Sequence, residues 1–137
     1  MTNHKPSVLA CVTFQFGCDR IINIAKLFAK KYDCNLRVLS VLKPTDNYAL
    51  YSKQIQYLYD ISKKSGADMT ILFDSNPVTA TAEFINDNNI NRLITGIPDG
   101  ENSFLVNLNK ECPEIPITMV TKDNKIYNLE LCPSFYI

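Results

Sequence analysis

The chain has 137 residues, 46% of them hydrophobic, and its fourteen basic and fourteen acidic residues cancel. That length and apolar content suit one globular domain with a single core and leave no room for a second. The balanced charge offers no basis for a broad nucleic-acid surface or for attraction to an anionic membrane, and no apolar run approaches the roughly 20 residues that cross a bilayer.

The first seven residues, Met1 to Ser7, lack a long apolar segment, so a cytosolic protein is expected. Five cysteines (Cys11, Cys18, Cys34, Cys112 and Cys132) form an odd set without CxxC spacing, and the only histidine is His4. Such a pattern argues against a disulfide framework and a structural zinc site, and it nearly excludes histidine-based catalysis.

In chain order, the first strand is expected in VLACVTF, Val8 to Phe14, a short run rich in branched residues. Ile21, Ile24, Ala25 and Phe28 then recur at helical spacing, followed by a second strand in LRVLSVL, Leu36 to Leu42. The next helix carries Tyr51, Ile55, Leu58 and Ile61 on one stripe, and the third strand is MTILF, Met69 to Phe73. Pro77 suits a helix start, with Val78, Ala82 and Ile85 on the apolar face. The fourth strand is RLITG, Arg92 to Gly96; the helix after it aligns Phe104, Leu105, Leu108 and Cys112, with Asn102 or Ser103 as N-cap and Pro113 as stop. ITMV, Ile117 to Val120, is the fifth strand.

Near-continuous apolar strands alternating with amphipathic helices predict an α/β fold, an open parallel sheet with helices on both faces. One domain is expected over residues 1–137, with a core at 7–121 and a tail at 122–137. The tail adds apolar and aromatic residues after the fifth strand; Leu129 and Leu131 alternate with polar neighbours, which fits an extra edge strand. It packs on its own domain or on a second copy. Ligands in such folds sit beyond the carboxyl ends of the strands, where strand order reverses.

Two segments carry a family resemblance. The run from Val8 to Pro44, with a CVT strand end and then Cys18, Asp19, Arg20 and Ile21 at the first helix, resembles universal stress proteins. It is most similar to the domain of that type in Kdp-type potassium-sensing histidine kinases and in small stand-alone relatives. The run from Tyr57 to Gly96 resembles the family's second helix through fourth strand, ending in the expected glycine. The resemblance implies a three-layer, Rossmann-like (adenine nucleotide alpha hydrolase-like) sheet in the order 3-2-1-4-5 and a cytosolic stress-response or signalling role. It also implies a homodimer through the fifth strand (Ile117, Thr118, Met119 and Val120), with the tail as a second contact. Some members bind ATP or AMP, and some potassium-sensor relatives recognise cyclic di-AMP.

Nucleotide-binding members place an Asp at the end of strand 1 and, after strand 4, a Gly, two residues, a Gly, nine residues, then Gly with Ser or Thr. Here Thr13 stands at the Asp position, three residues separate Gly96 from Gly100, and the position of the third glycine falls inside the helix near Lys110. Asp99 and Glu101 add negative charge to the loop. The two glycines therefore read as a turn into a capped helix, and family-typical ATP binding is expected to be lost. The leading expectation is a non-catalytic module acting through dimerisation or protein partners, without a cofactor or a metal. The alternative is a small-nucleotide sensor for ATP, AMP or cyclic di-AMP, built at the ends of strands 1 and 4 from Val12, Thr13, Phe14, Gln15, Val41, Gly96, Gly100, Asn102 and Ser103.

Other constellations compete with these readings. Asp74, Thr95 and Lys122 mimic a phosphoacceptor receiver, but VTFQF lacks the carboxylates that would hold its Mg²⁺. Cys18 near a helix start suggests redox sensing, against the commoner role of a cysteine as a small apolar residue. The tyrosines Tyr48, Tyr51, Tyr57 and Tyr59 suit base stacking, although Tyr51 shares a core stripe.

Overall fold

The computed structural model describes residues 5–13, 17–44, 48–97 and 103–129. Its elements run β1 (Ser7–Cys11), α1 (Asp19–Lys31), β2 (Asn35–Leu42), a 3₁₀ turn (Tyr48–Tyr51), α2 (Ser52–Lys64), β3 (Asp68–Phe73), α3 (Pro77–Asp87), β4 (Ile90–Gly96), α4 (Ser103–Glu111), β5 (Ile117–Val120) and β6 (Ile126–Asn128). One six-stranded sheet has the order β3-β2-β1-β4-β5-β6, parallel except for β6, which runs antiparallel to β5. The parallel part follows the order that the resemblance implies.

Alternation along the central strands sends side chains into two apolar layers. Val8, Ala10 and Val38 meet Ile21, Ile22 and Ala25 of α1 and Leu58 of α2. Leu9, Leu39, Leu93 and Ile117 meet Ile85 of α3 and Leu105 and Leu108 of α4. Burial on both faces is why these strands read as continuous apolar runs rather than as alternating ones.

Local chemistry sets the helix boundaries. Asp19 in the first turn of α1 and Lys30 and Lys31 in its last turn complement the helix dipole. Asn76 caps α3 by accepting the Thr79 N–H at 3.2 Å, and Pro77 takes the first helical position, where no N–H is needed. Ser62, within α2, is buried, and its hydroxyl donates to the Leu58 carbonyl at 2.7 Å.

Several boundaries differ from the sequence expectation. β1 ends at Cys11 rather than Phe14; the Val12 N–H still bonds the Leu39 carbonyl at 3.0 Å, after which Thr13 leaves the ladder. Tyr51 is not part of the α2 core stripe, because it ends the 3₁₀ turn and is 36% exposed. The extra strand lies at Ile126–Asn128, just before the alternation at Leu129, and Leu131 lies outside the described residues along with the rest of 130–137.

β6 changes the status of β5. A three-way side-chain link holds it: Arg92 on β4 donates to Thr118 Oγ1 at 3.2 Å, and that hydroxyl donates to Asn128 Oδ1 at 3.0 Å. The Arg92 guanidinium lies over the rings of Phe28 and Tyr32, at 5.0 and 5.4 Å from their centroids. β5 therefore offers no free edge at Ile117–Val120, since β4 pairs one side and β6 the other.

Two outcomes follow from the packing. Leu93→Ala, which empties a fully buried position, should cost about 2–5 kcal/mol in urea unfolding. Thr118→Pro should destabilise the protein by about 3 kcal/mol, because proline removes a ladder N–H from a strand flanked on both sides. An unchanged melting temperature for Thr118→Pro would mean that the β4–β5 ladder does not hold β5 at this position.

Candidate functional site

Strand order reverses at β1 and β4, and a cavity of about 810 Å³ opens at the carboxyl ends of these strands. Of the residues expected there, Val12, Thr13, Val41 and Gly96 line it together. Phe14, Gln15, Gly100 and Asn102 lie outside the described residues, and Ser103 is described only as the first residue of α4.

The cavity has two unlike walls. Leu39, Val41, Phe104 and Leu105 make an apolar one between the sheet and the α3–α4 side. Thr81 of α3 joins it; its hydroxyl is buried and has no hydrogen-bond partner among the described residues. The second wall is built from Gly17, Arg20, Gly96 and Lys122, and it is cationic. Among the described lining residues there is no Asp, Glu or His.

Backbone geometry builds the cationic wall. Gly17 sits at φ 96°, a conformation that favours glycine, and its carbonyl accepts from Arg20 Nη1 at 2.7 Å. Arg20 Nε donates to the Thr121 carbonyl at 3.0 Å, so one side chain ties the start of α1 to the end of β5. Gly96 makes that approach feasible: a Cβ there would lie 3.2 Å from Ile21 Cδ1 and 3.4 Å from Arg20 Nη2. The need for glycine at 96 is met by helix packing as well as by any approach to a ligand.

Arg20 and Lys122 escaped identification as site residues. Arg20 stood out only as part of the Cys-Asp-Arg-Ile run, and Lys122 only as a receiver-like residue. The receiver arrangement itself does not form. β2 and β1 separate β3 from β4, which sets Asp74 about 14 Å from Thr95 across the sheet, and Asp74 instead accepts the Asn76 N–H at 2.8 Å.

Two thiols line the cavity. Cys18 is the N-cap of α1, 5% exposed, with its sulfur 3.7 Å from Thr13 Oγ1. Burial pushes the Cys11 thiol up to about 12, so it is neutral and unreactive at neutral pH. Unfolded cysteines ionise from about pH 8.5, so between there and about 12 the unfolded chain sheds a proton that folded Cys11 keeps. Its contribution to stability is intact below that window and is lost as pH rises through it. In urea unfolding between pH 7 and pH 10.5, Cys11→Ala should therefore lose stability less steeply than the parent protein. Equal slopes would refute this account of Cys11.

No family profile and no curated protein matches the sequence. Solved structures do resemble the fold. A universal stress protein in complex with cAMP is 13% identical, aligned over 86% of this chain and 98% of that one at a TM-score of 0.65. The universal stress protein from Archaeoglobus fulgidus in complex with dAMP is 16% identical over 85% of this chain and 96% of that one, with a TM-score of 0.60. UspA from Lactobacillus plantarum is 12% identical over 88% and 99%, with a TM-score of 0.60. Sheet order, helix placement and these superpositions agree that the chain has the fold of the universal stress proteins.

Proposed function

We propose that the protein is a non-catalytic regulatory module of universal-stress-protein type, cytosolic, that binds a small adenine nucleotide in the cavity at the ends of β1 and β4. The observation that carries this reading is the two-walled cavity, apolar on the α3–α4 side and cationic at Arg20 and Lys122. Its volume of about 810 Å³ lies within the few hundred to about 1,000 Å³ usual for small-molecule sites. An apolar slot suits a heterocyclic ring, and a cationic rim suits a phosphate. Two structures of the same fold hold cAMP and dAMP.

The sequence departures at Thr13 and in the Gly96–Gly100 spacing still weigh against family-typical triphosphate binding. A regulatory rather than enzymatic role is supported by the lining: among the described residues it offers no acid–base pair, and the Cys11 thiol stays protonated. Among the described residues no helix is long and apolar enough to cross a membrane, which fits the cytosolic part of the reading.

Dimerisation belongs to the same proposal, but with a changed contact. Because β6 covers Ile117, Thr118, Met119 and Val120, two copies meet through β6 itself, whose apolar residues Ile126 and Tyr127 are 46% and 51% exposed. Sedimentation should show a dimer that Tyr127→Glu converts to folded monomer; a monomeric parent protein refutes this contact.

Calorimetry with AMP, ATP and cyclic di-AMP tests the ligand. AMP should bind with a micromolar Kd, and Val41→Trp, which fills the apolar wall, should abolish the heat without altering the circular dichroism. No heat for any of the three at high micromolar concentration overturns the nucleotide reading.

A further inference from the structure

Arg20 is held in a fixed pose. Its Nε and Nη1 donate to the carbonyls of Thr121 and Gly17, and these anchors, one after β5 and one before α1, set the guanidinium plane. The third nitrogen, Nη2, has no hydrogen-bond partner among the described residues and is turned to Gly96, 3.4 Å from where a Cβ would stand at the end of β4. Lys122 follows the residue whose carbonyl Arg20 holds, and it lines the same cavity.

Arg20 and Lys122 take part in no ion pair among the described residues. The carboxylates next to them in sequence are already engaged: Asp123, which follows Lys122, accepts from Thr121 Oγ1 and pairs with Lys125 at 3.7 Å, and Asp19, which precedes Arg20, is hydrogen-bonded to Tyr57. Two positive groups therefore face one cavity with no acid among its described lining residues, which is electrostatically unfavourable until an anion enters.

We propose that Arg20 and Lys122 form the anion subsite of this cavity and take the phosphate of a nucleoside monophosphate, in place of the glycine-loop contacts that the sequence lacks. This assignment rests on the nucleotide reading for the identity of the ligand, though not for the existence of the anion subsite. Nη2 of Arg20 donates to one phosphate oxygen and the Lys122 ammonium to another, while the base lies along the apolar wall. Because Arg20 also grips the Thr121 carbonyl, the bound anion is linked to the turn that leads into β6.

Calorimetry with AMP, adenosine and inorganic pyrophosphate separates the possibilities. The expected result is that AMP binds about tenfold or more tightly than adenosine, and that Lys122→Gln brings AMP down to the adenosine value while leaving adenosine unchanged. Lys122 is exposed, so this variant should unfold at the parent's urea midpoint. Arg20→Gln removes two structural hydrogen bonds and serves only if it folds; Arg20→Lys, which keeps the charge, should restore part of the AMP preference.

If adenosine binds and AMP gains nothing over it, the subsite is wrong and the nucleotide reading stands. If neither nucleoside ligand binds but pyrophosphate does, and Lys122→Gln abolishes it, the subsite stands and the nucleotide reading falls. Binding of all three that is insensitive to Lys122→Gln overturns the subsite, and so does binding of none.

Discussion

β1 is hydrogen-bonded to β2 on one edge and to β4 on the other, and it is buried on both faces, with Leu9 and Ala10 at 0% exposure. From it the sheet grows in two directions. The helices that follow β1 and β2 cover one face, those that follow β3 and β4 the other, and the connections that leave β1 and β4 diverge. A crevice at their carboxyl ends is the geometric result of that divergence. Because β1 ends at Cys11 and the last ladder bond is the one from Val12 to Leu39, Thr13 is free of the ladder and lines this crevice beside Val12.

Two arginines then join parts of the chain that are far apart in sequence. Arg20 connects the start of α1 to the end of β5, and Arg92 connects the end of α1, through Phe28 and Tyr32, to Thr118 and so to Asn128 of β6. α1 is thus tied at both ends to the β5–β6 side of the sheet. The turn between β5 and β6 is itself compact: the Thr121 N–H donates to the Lys125 carbonyl at 2.8 Å, and the Asn124 N–H to the Thr121 carbonyl at 3.1 Å. One wall of the cavity and the last strand of the sheet therefore share a short, well-bonded segment, which gives a ligand at Arg20 a physical route to the sheet edge.

The strands were legible in the sequence because burial on both faces leaves unbroken apolar runs, and the helices because each carries an apolar stripe and, for α3, a recognisable cap. The ends were less legible. VLACVTF stays apolar beyond the last ladder bond, so pattern alone overran β1, and Tyr51 fell on the right helical spacing while belonging to a 3₁₀ turn. β6 could be anticipated only as an alternation near Leu129, since Ile126, Tyr127 and Asn128 are all exposed and carry no burial signal. The site divided in the same way. Val12, Thr13, Val41 and Gly96 were accessible through strand ends and the family resemblance, whereas the contact between Arg20 and Thr121 spans 101 residues and has no periodic trace.

β6 also bears on the solubility of the fold. Without it β5 would be the edge of the sheet, and the peptide groups of Ile117–Val120 that now bond β6 would stand open. An unpaired apolar edge is a template for pairing with other chains. β6, three residues long and exposed throughout, thus closes an edge that would otherwise recruit further strands.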